Sequence, residues 1–140
     1  MAAPYVILSR VLSANREELA VQYNAAGNFT LEVFDWDNVP NTQRWVLNLP
    51  PPAITPVIPV PAADRQAAPG GDGDAFIQGL QLIGPSLWTV DVPGALNLFR
   101  IQRAGGTAWG SGAAEPGVDV TLAAQGPNTA GQRWNLVGHL

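Results

Sequence analysis

The chain has 140 residues and a net charge of −4, enough length for one domain with a real core. That charge excludes the basic footprint of a nucleic-acid binder, and no run approaches the roughly 20 apolar residues of a membrane helix. Zero cysteines exclude disulfides and thiol chemistry, while 15 glycines, 13 prolines and only 13% charged residues describe short strands joined by turns.

The N-terminus, Met1-Ala2-Ala3-Pro4-Tyr5, has neither a charged n-region nor an apolar h-region. A cytosolic protein is expected, and export by a non-classical route is compatible with the same sequence. Strand-like runs with period-two alternation or β-branched residues follow over 5–10, 19–23, 29–34 and 45–49. Turn chemistry separates them at Ser13-Ala14-Asn15, Asn24-Ala25-Ala26-Gly27-Asn28 and Asp37-Asn38-Val39-Pro40-Asn41. The one helix-prone stretch, 16–20, is too short to stand alone, so strand or turn is expected there.

The middle stretch differs. Residues 50–61 hold six prolines, which belong at edges, strand ends or in polyproline II because proline cannot donate to a ladder. Residues 67–74, ending in Gly70-Gly71-Asp72-Gly73-Asp74, read as an exposed flexible loop, and order resumes over 76–83. The last third repeats the first, with runs at 96–103, 108–110, 118–123 and 134–137 and turns at Gly105-Gly106 and Glu115-Pro116-Gly117.

A repeat underlies this layout. Trp45, Trp88 and Trp134 lie 43 and 46 residues apart, and two share a setting, Gln43-Arg44-Trp45-Val46-Leu47 and Gln132-Arg133-Trp134-Asn135-Leu136. Four strands per unit and three units, over about 1–49, 50–93 and 94–140, predict an all-β fold of about twelve strands. Closed antiparallel architectures remove edge strands, and a three-fold barrel capped by hairpins, the β-trefoil with pseudo-threefold symmetry, satisfies the count. The recurring tryptophans are then expected near each unit's last strand, filling a shared core.

The Gln-Arg-Trp triplets resemble the Gln-x-Trp repeat of ricin-B-type trefoils. The segments Val6-Ile7-Leu8-Ser9-Arg10-Val11-Leu12-Ser13 and Leu19-Ala20-Val21-Gln22-Tyr23-Asn24 are similar to a mushroom β-trefoil family. That family holds cospin-type serine-protease inhibitors and a fucose-binding fruiting-body lectin. The resemblance covers 5–49 well, 84–140 fairly and the proline-rich stretch poorly. It implies a non-catalytic defence protein acting through surface loops, with a serine protease or a glycan as partner.

For an inhibitor, the resemblance implies a reactive loop between the second and third strands that presents an asparagine. Here that loop is Tyr23-Asn24-Ala25 and its neighbours, with Asn24 at the matching place; the same residues also make an ordinary hairpin. Arg65 is a second candidate, because trypsin-like proteases take a basic residue. For a lectin, the relative's site implies a stacking tryptophan at Asp72, an asparagine at Pro85 and a tyrosine at Ser86, so only its final tryptophan survives, as Trp88. Outside the period, Trp36 beside Asp35 and Asp37, and Trp109 among small residues, are further sugar-stacking candidates, each also readable as a loop anchor.

Catalysis is not expected. The one histidine, His139, is the penultimate residue, and the sequence has no cysteine nucleophile, no Gly-x-Ser-x-Gly elbow and no phosphate loop. Asp72 and Asp74 lack the twelve-residue calcium-loop pattern, so neither a metal nor any other cofactor is expected. Protease inhibition ranks first because the asparagine is kept while the sugar residues are replaced. Glycan binding ranks second, and a scaffold without activity third. A monomer or weak homodimer is expected.

Overall fold

Fold and register follow from a computed structural model that describes residues 4–70, 76–81, 86–92, 98–103, 107–124 and 132–138. Within these, thirteen strands run in chain order: β1 Pro4–Ser9, β2 Leu19–Tyr23, β3 Phe29–Val33, β4 Trp45–Val46, β5 Ala53–Thr55, β6 Ile58–Pro59, β7 Arg65–Gly70, β8 Phe76–Gln81, β9 Trp88–Asp91, β10 Arg100–Gln102, β11 Thr107–Gly110, β12 Thr121–Ala124 and β13 Trp134–Gly138. A short 3-10 turn, Asn41–Gln43, precedes β4.

The pairing closes a barrel. β1 pairs β4 through Tyr5↔Trp45, β4 pairs β6 through Trp45↔Pro59, and β5 pairs β9 through Thr55↔Trp88. β9 pairs β10 through Val90↔Ile101, a bridge joins Phe99 to Trp134, and β13 returns to β1 through Trp134↔Ser9. Phe99 and Trp134 exchange both backbone hydrogen bonds, at 2.7 and 2.9 Å, and so complete the ring. Three hairpins, β2–β3, β7–β8 and β11–β12, complete the three units. The fold is a β-trefoil.

The extra strand has a local cause. Pro56 separates β5 from β6, so one barrel strand of the middle unit is split in two. The buried Thr55 hydroxyl accepts the Asn48 N–H at 2.8 Å and donates to the Pro56 carbonyl at 2.8 Å, satisfying polar groups at the break.

Threefold equivalence is sharpest in the core. The Trp45 indole N–H donates to the Val21 carbonyl at 3.0 Å, Trp88 to Ala67 at 2.9 Å, and Trp134 to Trp109 at 3.2 Å. Each unit thus ties the first residue of its fourth strand to its second strand. Val21, Ala67 and Trp109 are equivalent by this bond, and the three differ greatly in volume. Trp109 fills the space that the two smaller residues leave, meeting Trp88 edge-on at 5.4 Å, Trp45 at 6.5 Å and Phe29 at 5.9 Å between ring centroids. Its own indole N–H has no acceptor among the described residues, a cost of about 1–3 kcal/mol that these aromatic contacts outweigh.

The glutamines of the repeat are anchors. Gln43 Nε2 donates to the Val33 carbonyl at 3.3 Å and Gln22 Oε1 at 3.2 Å, and Gln132 Nε2 donates to the carbonyls of Ala123 and Ala124 at 3.2 and 3.1 Å. The middle unit has Ser86 at this place. There the roles reverse, and the Ser86 N–H donates to Gln66 Oε1 at 2.8 Å.

Two sequence expectations change. The loop expected over 67–74 is instead strand through Gly70, with Ala67 and Ala68 buried and all six residues of β7 paired to β8; Gly71–Asp74 lie outside the described residues. Small side chains hid a strand whose Ala67 receives a tryptophan. Trp109, expected as a sugar-stacking residue or a loop anchor, is instead wholly buried in strand β11. Replacing Trp109 by alanine should cost about 3–5 kcal/mol of stability, read by guanidinium denaturation. Trp36→Ala should cost only about 1 kcal/mol.

Candidate functional site

After β3 the chain turns back over Phe34, which is buried, and exposes the next four residues. Asp35 shapes this turn: its Oδ1 accepts the Asp37 N–H at 2.9 Å and its carbonyl accepts the Asn38 N–H at 3.1 Å. Trp36 at the turn is 50% exposed, whereas the other four tryptophans are at most 1% exposed. Its ring stands edge-on to Phe34 at 4.9 Å and 75°. Its Nε1–H donates to Glu18 Oε2.

Glu18 therefore grips the turn twice, since its backbone carbonyl also accepts the Phe34 N–H at 2.9 Å. The pairing Leu19↔Val33 brings it there from the other strand of the hairpin. An indole packed against Phe34 and bonded through its nitrogen to Glu18 is braced while half of it stays exposed. Asp35, Asp37 and Asn38 add exposed carboxylate and amide groups beside it. An aromatic face rimmed by hydrogen-bonding groups is the arrangement that holds a pyranose. The sequence predicts only strand or turn over 16–20, and no local signal links Glu18 to Trp36 eighteen residues on, because only the strand pairing does.

The other candidates are distributed differently. Tyr23 closes the β2–β3 hairpin against Phe29, with rings edge-on at 6.0 Å. Asn24 does not project from that hairpin. Its Nδ2 donates to Thr30 Oγ1 at 2.9 Å, its Oδ1 accepts from Gln22 at 3.4 Å, and its backbone bonds Asn28 and Gly27. Gly27, at φ +91°, makes the tight return, leaving Ala25 and Ala26 exposed at the tip. Arg65 is exposed but not on a flexible loop: it opens β7, pairs with Gln81, and its N–H donates to the Ala62 carbonyl at 2.9 Å.

Trp88 and Trp109, named as sugar-stacking candidates, are buried and offer no face; both indoles are committed to the core. Asp72 lies outside the described residues. Beside the buried Trp88, however, Ser86 and exposed Leu87 line an open cleft of about 220 Å³ with Pro69 and Arg103. Among the described residues no group of three metal-ligating side chains is gathered.

Comparison with known proteins places the fold and the family. Residues 3–134 match the family described as CCL2 lectin-like. The chain belongs to the CCL2 lectin-like family. No curated protein sequence matches this CCL2-like chain. Its fold is similar to that of a designed 3-fold symmetric protein, ThreeFoil, with TM-score 0.75 and 15% identity over 97% of this chain and 99% of the other. It is also similar to the Polyporus squamosus lectin, solved bound to the human-type influenza-binding epitope Neu5Aca2-6Galb1-4GlcNAc, with TM-score 0.68 and 17% identity over 96% of this chain and 48% of the other. An exo-β-1,3-galactanase from Clostridium thermocellum shares the fold over 98% of this chain but only 30% of its own, at 18% identity and TM-score 0.67. The CCL2-like chain thus spans less than half the length of these last two proteins.

In the CCL2-like hairpin, Asn24→Ala should lower stability by about 1 kcal/mol through its lost side-chain hydrogen bonds, measured by urea denaturation.

Proposed function

We propose that this protein is a non-catalytic carbohydrate-binding protein whose sugar platform is Trp36 and its surroundings. The observation that carries this reading is the braced, half-exposed indole: four tryptophans are buried in the core, and the fifth is half-exposed, packed against Phe34 and bonded to Glu18. An exposed tryptophan gains nothing from water, and its burial by a sugar ring recovers apolar contact. Membership of a lectin-like family supports the same partner class.

The cleft lined by Ser86, Leu87, Pro69 and Arg103 supports a second placement of the same activity. It lies on the middle-unit segment where the sequence resemblance implies the relative's sugar site, although Pro85 and Asp72 depart from that pattern. Serine-protease inhibition has less support. An inhibitory residue must project into the protease cleft, and the Asn24 side chain is folded back onto Thr30 and Gln22.

Titration of a neutral and fucosylated glycan panel, followed by tryptophan fluorescence, tests the reading. Binding is expected to shift emission, because the one exposed indole dominates the solvent-sensitive signal. Trp36→Ala should weaken binding about tenfold or more while leaving the fold intact, a loss of about 1.4 kcal/mol. Full binding by Trp36→Ala with loss in Leu87→Ala moves the site to the cleft. No response from any glycan removes the lectin reading.

A further inference from the structure

The barrel register aligns three arginines and one aspartate in a single row. Ser9 pairs with Trp134, and the Arg10 N–H donates to the Arg133 carbonyl at 3.1 Å, so Arg10 and Arg133 are neighbours across β1 and β13. Phe99 pairs antiparallel with Trp134, which sets Arg100 opposite Arg133. Arg100 in turn pairs with Asp91 on β9. The row therefore reads Arg10, Arg133, Arg100, Asp91 across four adjacent strands. Trp134, Ile101 and Val90 point inward and are fully buried, so the period-two alternation turns Arg133, Arg100 and Asp91 outward, and Arg10 is exposed.

This row gathers three of the seven arginines of a protein whose net charge is −4. Among the described residues Asp91 is the acid in this row, and it is engaged by Arg100: Nε donates to Oδ1 at 2.9 Å and Nη2 to Oδ2 at 2.5 Å. Gln102 also reaches Asp91, at 3.4 Å. Arg133 stands between two cations, and its Nη1 donates to the Gln132 carbonyl at 3.2 Å. Like charges directly opposite one another on a sheet are destabilising. Desolvation first, and then Arg100 and Arg10, push the Arg133 pKa down against the opposing pull of Asp91, though a guanidinium stays charged throughout. The fold thus sets Arg133 between two other cations, with no carboxylate bonded to it among the described residues.

We propose that this row is a second recognition surface, for the oxyanion of a sulfated or uronate saccharide. Guanidinium forks match sulfate and carboxylate oxygens in pairs, and an oxyanion seated on Arg133 and Arg10 relieves the repulsion within the row. Strands lie about 4.8 Å apart, so three arginines span about 10 Å. That length suits one or two anionic substituents, not a nucleic acid, whose affinity rests on about 6–10 phosphate contacts. At the Asp91 end, Pro51, Pro52 and Val92 border a cleft of about 260 Å³ where the uncharged part of the saccharide lies. This surface is separate from the Trp36 platform and stands whether or not that platform binds sugar.

Calorimetric titration at low and moderate salt tests it with five probes: a heparin-derived oligosaccharide, an oligogalacturonate, a neutral oligosaccharide, inorganic sulfate and an RNA oligonucleotide. At least one anionic saccharide should bind and weaken with salt, and which one binds identifies the anion. Arg133→Gln and Arg10→Gln should each weaken it about tenfold or more, whereas Trp36→Ala should not change it. Circular dichroism checks folding, and exposed Arg10 provides the test if Arg133→Gln does not fold. The proposal is overturned if neither anionic saccharide binds, if the neutral one binds equally, or if the arginine variants bind like the wild type. Inorganic sulfate binding as tightly as the saccharides marks an adventitious ion only, and tighter binding of RNA likewise rejects the assignment.

Discussion

Three indole N–H groups, each given to a buried carbonyl of its own unit's second strand, are the interaction on which this protein depends. A buried tryptophan contributes a large apolar surface but carries one donor that must be satisfied. Placing the acceptor on the second strand joins barrel to hairpin inside each unit. The same bond locates the positions facing the axis, and one large residue, Trp109, serves there for all three units. Packing at the axis is therefore asymmetric in side chains while the backbone stays threefold.

That arrangement frees the outer surface. With Trp45, Trp88, Trp109 and Trp134 inside, Trp36 belongs to a turn that contributes little to the core and is held by Phe34 and Glu18. Recognition on such a scaffold can change without disturbing the barrel. The outer arginine row follows the same logic: inward neighbours fix the register, and the outward residues inherit their alignment from it. Both surfaces come from strand pairing, and neither requires the chain to move.

The sequence revealed the fold through its repeats, because Gln43-Arg44-Trp45 and Gln132-Arg133-Trp134 hold the same two jobs in their units. Trp88 was legible by spacing alone, since Ser86 and Leu87 replace the rest of the triplet. The site was less legible. Trp109 sits among glycines and serine, a setting that leaves a stacking role or a loop anchor open, and its equivalence to Val21 and Ala67 is what marks it as core. β7 was hidden because alanine, proline and glycine carry little strand signal, yet Ala67 must be small to admit its neighbours. Glu18 and Trp36, and likewise Arg10, Arg133 and Arg100, are distant in sequence and meet only through register. Asn24 matched an inhibitor's residue by position, but its side-chain bonds to Thr30 and Gln22 make it a hairpin anchor.

Hydrogen exchange at the five indole N–H groups, resolved by two-dimensional NMR, tests the central claim most directly. Trp45, Trp88 and Trp134 should exchange slowly, on the timescale of global unfolding, and Trp36 should exchange fastest of the five. Added ligand should shift the Trp36 resonance and leave the three bonded indoles in place. Rapid exchange at any of the three, or protection of Trp36 equal to theirs, would contradict the account.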